Sequence, residues 1–396
     1  MTWWIADFYG NPVLLSIGTF ISILLLTLFM PIAGVVADKV NRKTLILVVD
    51  SSQAFATFLL LVLFQFGLAN ISIVFIFIGL RSIFQAFHLP TVNAIIPSMV
   101  PKEKLTKING INFLFTGVVQ FIAPFFGALL YMFLSMSLLL WVDVITFFIA
   151  LIPLLKITIP SVKRINHSKD EVMKSSFVQE FKLGLKTLKL VPGLITMIIL
   201  SMLLNFILMP ANTLMPLFIK NNHGGGVGHL AFVQMILTTG TIVGAIFTSI
   251  KKNWNNKIRA IFTALLSALI GYILFALTPS GSFLFMSIGA VILGFNLPII
   301  NSLFQTFIQT TVPADKMGRV ASIDNTLSSA ISPLAALLSG PLALLIGIQP
   351  LFIFCGLAGL VFTIAFWCFT GIRKIDLDNK LELEKISNQI DDLIIE

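Results

Sequence analysis

Long apolar runs separated by short polar connections set the pattern of this chain. The runs are about 20 to 28 residues long, and at roughly 1.5 Å of rise per residue each reaches across a hydrocarbon layer of about 30 Å. Helical spans are predicted at 13–36, 44–66, 71–96, 108–131, 135–155, 192–219, 229–250, 258–277, 281–308, 320–345 and 347–371, eleven in all. Residues 1–9, MTWWIADFY, read as the last third of a further helix that ends at the turn Gly10-Asn11-Pro12, so the start of the chain is expected to be missing. A signal peptide is the alternative, but there is no basic leading region and no small-residue cleavage site.

One hydrophilic stretch, 156–190, interrupts the rhythm. Its second part places Phe177, Phe181, Leu185 and Leu188 on one helical face and Lys182, Lys186 and Lys189 on the other. That spacing predicts a helix along the inner membrane surface, with an unstructured linker as the alternative. The tail after Asp376, acidic and basic by turns, reads as a solvated helix without chemistry.

Laid against itself, the chain repeats. FHLPTVNA at 87–94 returns as FNLPIINS at 295–302, an offset of 208, and VPKEKLTK at 100–107 returns as VPADKMGR at 312–319, an offset of 212. Gly34 and Gly244, each followed by a basic connection, lie 210 apart. A six-span unit repeated at this period predicts twelve helices. The expected organisation is a half-bundle at 1–155, a cytoplasmic connection at 156–190, a second half-bundle at 191–371 and a cytoplasmic tail at 372–396.

Composition agrees: 57% hydrophobic and 11% charged residues exclude an ordinary soluble domain. The net charge of +9 would suit a nucleic-acid partner, but 24 of the 26 Lys and Arg fall on alternate connections or the C-terminal tail. The intervening connections carry only Lys220. This asymmetry follows the positive-inside rule, places the C-terminus in the cytoplasm of a multi-pass cell-membrane protein, and leaves no need for nucleic acid. Cys355 and Cys368 both sit in the last span and imply packing rather than a disulfide or metal. HGGGVGH at 223–229 lacks the Lys-Ser/Thr of a phosphate cradle, and the histidines lack metal spacing, so no cofactor, metal or enzymatic activity is expected.

The segment GVVADKVNRK at 34–43, between the second and third helices, joins the two-half pattern in resembling the major facilitator superfamily. The run RSIFQAFHLPTVNAIIPSMVPKEKLTK at 81–107 is similar to the macrolide-efflux branch of its bacterial drug exporters. The resemblance implies an all-α membrane fold of two six-helix halves and a conformational latch at Gly34, Asp38, Lys39, Arg42 and Lys43. Asn41 stands where the family has a second glycine and is expected to keep the tight turn, because asparagine tolerates a left-handed backbone. A purely topological role for these charges is the alternative. Thr248 replaces Asp38 in the second repeat, which makes the latch one-sided.

Charge within a span costs at least about 2.5 kcal/mol on insertion scales, so each instance is a functional candidate. Arg81 resembles the family's fourth-helix arginine linked to proton coupling. A guanidinium does not release its proton, but it holds and exchanges a titrating carboxylate. The available carboxylates are Asp7, Asp143, Asp50 and Asp324; the family's use of a first-helix carboxylate favours Asp7, and Asp324 could instead face Arg42. His88 is a further coupling candidate, titrating near neutral pH. For all of them a structural pairing is the alternative.

GVVQFIAPFFGALL at 117–130 resembles the antiporter pattern of the fifth helix, with Gly117, Ala123 in place of a glycine, Pro124 as a kink and Gly127 as a point of close packing. Pro90, Asn93, Pro298 and Asn301 in the repeated elements, Asn205, Met209 and Asn212 on the seventh helix, and Trp3 and Trp4 give an expected cavity that is apolar with sparse polar groups. Such a lining suits bulky amphiphiles better than sugars or phosphates. The resulting expectation is a monomeric multidrug or macrolide exporter, an antiporter exchanging protons for an amphipathic small molecule within membrane lipid and conferring antibiotic resistance. Export of an endogenous siderophore and a transport-inactive scaffold are the alternatives.

Overall fold

A computed structural model describes residues 1–101, 104–159, 188, 191, 193–251, 254, 256–312 and 317–374. Apart from Leu188, the expected surface helix at 177–189 lies outside the described residues, as do the tail after Asp376 and the side chains of Asp38 and Lys39.

The described chain is helical throughout: α1 (Thr2–Tyr9), α2 (Pro12–Lys39), α3 (Arg42–Gln65), α4 (Ile71–Met99), α5 (Leu105–Phe133), α6 (Met136–Lys156), α7 (Leu194–Leu217), α8 (Val227–Ile250), α9 (Lys257–Ala276), α10 (Phe283–Thr311), α11 (Met317–Ala330), α12 (Ser332–Ile346) and α13 (Ile348–Phe369). Eleven helical stretches among the described residues are long and apolar enough to span a membrane. The expected eleventh helix of the twelve is formed by α11 and α12, interrupted between Ala330 and Ser332 just before Pro333, whose ring and missing N–H oppose an unbroken helix.

Asparagine starts many of these helices. Asn11, Asn41, Asn70 and Asn256 accept backbone N–H groups of the first turns of α2, α3, α4 and α9, as Ser135 does for α6. Each cap satisfies donors that would otherwise face hydrocarbon or headgroup without a partner. Gly10 closes α1 with φ 61°, a left-handed residue that glycine adopts without steric cost.

Two compact units form. The first comprises Met1–Ile165, Thr213–Phe232 and Ala336–Leu344; the second comprises Asn166–Asn212, Val233–Ala335 and Leu345–Glu396. In the first, α2 packs on α4, and α3 on α4 and α6. In the second, α9 packs on α10 and α13, the same pairing one repeat later. Leu200, Ile261, Phe307, Ile308 and Val320 stand near zero exposure at the centre of the second unit.

Helix pairs differ in how closely they approach. A Cβ added to Gly79 of α4 would meet only the side-chain tips of Leu25 and Ile21 of α2, at 2.9 and 3.2 Å. In the second unit several glycines meet backbone: Gly240 and Gly244 of α8 lie against the carbonyls of Val291 and Phe295 of α10, and Gly289 of α10 lies against α9. Small residues let helix backbones touch where hydrocarbon gives no hydrophobic drive for association.

Candidate functional site

The charged connection at 34–43 resolves into a cap and a tie. Asn41 has φ −60° and ψ 118°, an extended conformation, and its side-chain oxygen accepts the N–H groups of Lys43 and Thr44. The left-handed turn expected of Asn41 is not made: capping α3 requires extended backbone, and satisfies two donors at once. Basic residues at a helix N-terminus oppose the macrodipole, so Arg42 and Lys43 are not there to stabilise α3. Lys43 Nζ instead donates to the carbonyls of Leu155 and Ile157, at 2.8 and 2.7 Å, at the negative end of α6. Among the described residues no atom lies within 4 Å of a Cβ added to Gly34, and Arg42 is half-buried. Lys43→Gln is expected to lower the thermal stability of the detergent-purified protein by about 1–2 kcal/mol, and Lys43→Arg to restore most of it, read as the midpoint of thermal unfolding.

A polar knot occupies the interior of α3, α4 and α6. Arg81 Nη1 donates to Asp143 Oδ2 at 2.9 Å and to the Thr57 hydroxyl at 2.9 Å. The Thr57 hydroxyl lies 3.0 Å from Asp143 Oδ2 and from the Gln53 carbonyl, with one proton to give to either. Arg81 thus pairs with Asp143 and not with Asp7, the partner favoured from sequence. Arg81, ten residues into α4, and Asp143, eighth in α6, share one level and a common neighbour in α3. Both side chains border a cavity of about 660 Å³ that Thr19, Ser22, Gln53 and Gln85 also line. Arg81 and Asp143 keep 35% and 46% of their side-chain surface open, which leaves the carboxylate reachable.

A second pair sits closer to the basic connections. His88 Nδ1 lies 2.8 Å from Asp50 Oδ1, linking α4 to α3. The repeat supplies a neutral counterpart, since Asn296 donates to the Ser267 hydroxyl at 3.0 Å and links α10 to α9. Only the first of these contacts can change charge. Asp324 accepts from Ser328 one turn along α11.

Asp7 has another partner altogether. Lys220 Nζ lies 2.7 Å from Asp7 Oδ1, and Tyr131 donates to Asp7 Oδ2 at 3.2 Å. Neither Lys220 nor Thr57 is among the site residues expected from sequence. Lys220 is nonetheless visible there as the one basic residue off the positive-inside pattern, whereas nothing in the sequence singles out Thr57.

In the second unit, Asn205 and Asn301 border one small cavity of about 140 Å³, otherwise lined mainly by Leu, Ile and Phe. Asn205 also donates to the Ser328 carbonyl, at 3.1 Å, and so joins α7 to α11. Asn93 and Asn212 are exposed within spans, Pro90 and Pro298 lie inside α4 and α10, and Met209 is buried. Trp3 is buried, and Trp4 packs on Phe8, Tyr9 and Phe64. On α5, Pro124 lies inside the helix near Ala123, but the close packing expected at Gly127 is absent; neither Gly117 nor Gly127 has an atom within 4 Å of an added Cβ among the described residues.

Comparison with known proteins adds family context. Residues 1–336 match the family model of the Major Facilitator Superfamily. The chain is 26% identical over 370 residues to macrolide efflux protein A of Streptococcus pyogenes, covering 93% of this chain and 90% of the relative. It is 22% identical over 385 residues to the multidrug efflux pump Tap of Mycolicibacterium fortuitum, covering 96% and 92%. A crystal structure of the nucleoside transporter NupG superimposes with a TM-score of 0.70 at 15% identity, covering 95% of this chain and 94% of that one.

Proposed function

From the premise that the chain belongs to the Major Facilitator Superfamily, and is a multi-pass membrane transporter and not an enzyme, we propose that it exports an amphipathic drug of the macrolide type in exchange for protons. The coupling centre in this proposal is Asp143 with Arg81 and Thr57, and the observation that carries it is the Arg81–Asp143 pair bordering a mainly apolar cavity with a few polar groups among apolar helices. Arg81 keeps its proton; Asp143 is the member that takes one up, which weakens the pair and lets Arg81 turn to Thr57 alone. A membrane potential contributes about 2.3 kcal/mol per charge per 100 mV, before any pH gradient, so one proton supports a substantial uphill export.

The substrate class rests on the similarity to macrolide efflux protein A along nearly the whole chain. The exposed asparagines on otherwise apolar helices support it, because sparse polar groups orient a large apolar ligand without demanding a dense hydrogen-bond set. Gly34, Asp38, Lys39, Arg42 and Lys43 act as the inner latch, Asp50 and His88 as a second candidate pair for proton coupling, and Asp7 as a third carboxylate. The basic connections and C-terminus lie in the cytoplasm, and the protein works as a monomer in the cell membrane.

The test is efflux of a radiolabelled macrolide from de-energised cells given an acid-outside pH gradient. Gradient-driven efflux is expected, with at least about ten-fold slowing in Asp38→Asn, the scale of one lost charge-assisted contact. Absence of efflux from a chain present in the membrane would remove macrolides. Iron-dependent export of a siderophore would then favour an endogenous substrate, and no transport of either would favour a scaffold.

A further inference from the structure

Lys220 sits in a π-helical turn, Phe218–Asn222, that extends α7. Such turns redirect a side chain relative to the preceding helix. Its ammonium lies 2.6 Å from the Asp7 carbonyl, 2.7 Å from Asp7 Oδ1 and 3.5 Å from the Ala6 carbonyl. These carbonyls belong to the last turn of α1, whose C=O groups have few intrahelical partners and form the negative end of the helix. One cation therefore caps α1 and neutralises Asp7 together. Phe218 and Ile219 beside it are fully buried, which fixes the turn that aims it.

A second contact repeats the junction elsewhere. A Cβ on Gly340 of α12 would stand 2.6 Å from the Pro12 carbonyl, Ser16 Oγ and Val13 Cα of α2, and Ser16 is wholly buried. By the sequence repeat, Thr213–Phe232 and Ala336–Leu344 belong to the second half, yet both are integral to the first compact unit. Both junctions occur at the helix ends opposite the basic connections.

We propose that Lys220 is a closing residue, whose ammonium, seated on Asp7 and the carbonyl end of α1, holds shut the transporter face opposite the basic connections, with Gly340 on α2 as the second point of closure. That face opens when Lys220 leaves Asp7. The inference rests on the alternating-access reading above but not on the identity of the substrate.

The test uses the full chain in intact cells, with Cys355→Ser, Cys368→Ser and Ser16→Cys, and a membrane-impermeant maleimide as probe. The parent is expected to label slowly. Lys220→Met and Asp7→Asn are each expected to raise the initial labelling rate by about ten-fold or more, because a shift in the open population appears directly in the rate. Lys220→Arg, which keeps a cation for Asp7 and the carbonyl end of α1, is expected to return it towards the parent rate. Equal labelling of the parent and both single variants, at matched membrane levels, would overturn the proposal, as would Lys220→Arg labelling as fast as Lys220→Met. Should Lys220→Met fail to accumulate, Lys220→Gln and Asp7→Asn carry the same comparison. A chain that exports no macrolide but shows these rates keeps the closure and loses the drug reading. One that exports while the rates stay fixed loses the closure alone.

Discussion

Gly289→Val is expected to abolish recovery of folded protein, read as the loss of the monodisperse peak on size exclusion after detergent extraction. An added Cβ would stand 2.5 Å from the Phe275 nitrogen, 2.6 Å from the Gly271 carbonyl oxygen and 2.8 Å from Phe275 Cα. A carbon and a carbonyl oxygen normally come no closer than about 3.3 Å, so α10 must retreat from α9 by most of an ångström. A gap of that size forfeits about a quarter to a half of the dispersion energy of every atom pair it opens. In hydrocarbon that loss is not offset by hydrophobic association, since lipid chains are as apolar as the helix surface. The obstructing atoms are backbone and cannot rotate aside, which places the cost above about 4 kcal/mol. Gly127→Ala provides the contrast: among the described residues no atom stands within 4 Å of the added Cβ, and the higher helix propensity of alanine gives a change within about 1 kcal/mol, in the stabilising direction.

The second large effect is expected at the polar knot. Asp143→Ala leaves the Arg81 guanidinium with Thr57 alone, and Arg81→Met leaves the Asp143 carboxylate with the Thr57 hydroxyl. A hydrogen bond to a charged group contributes about 1.5–3 kcal/mol net, so each single variant is expected to slow gradient-driven export by about ten- to one-hundred-fold. The side chains are a third to a half open, which places the loss towards the lower end of that range. The double variant separates pairing from independent roles. If the two residues act as one unit, Arg81→Met with Asp143→Ala exports no worse than either single variant. A double variant as slow as the product of the singles would mean that each acts alone. Export is measured with membrane protein level matched by quantitative blotting.

Much of this is legible in the sequence, because hydrocarbon imposes a strong rule. A spanning helix must be long, apolar and internally bonded, so Pro12–Lys39 and its successors announce themselves by length alone. The family follows from residues at fixed spacing in the loop at 34–43 and the run at 81–107. Partners are harder. Arg81, Asp7 and Asp143 each stand out as charges in apolar helices, but which pairs with which depends on helix rotation and level, and these are set by packing between helices. Asp143 reaches Arg81 because α3 lies against both α4 and α6 and offers Thr57 between them. A lone threonine carries no such information in one dimension. Likewise Gly127 and Gly289 look alike as glycines in apolar runs, yet among the described residues one meets no neighbour and the other a backbone.

The contacts of α10 have a mechanical consequence. Where Gly240, Gly244 and Gly289 put backbone on backbone, no rotatable side chain lies between α10 and its neighbours α8 and α9. Side chains act as springs, able to change rotamer and absorb a push; peptide groups do not. The three helices therefore form a stiff lever, in which a displacement applied at one end reaches the other with little damping. At Gly79, α4 meets α2 through the tips of Leu25 and Ile21, a cushioned joint that yields before it transmits. Compliance thus differs between the joint of α4 with α2 and the joints of α10 with α8 and α9.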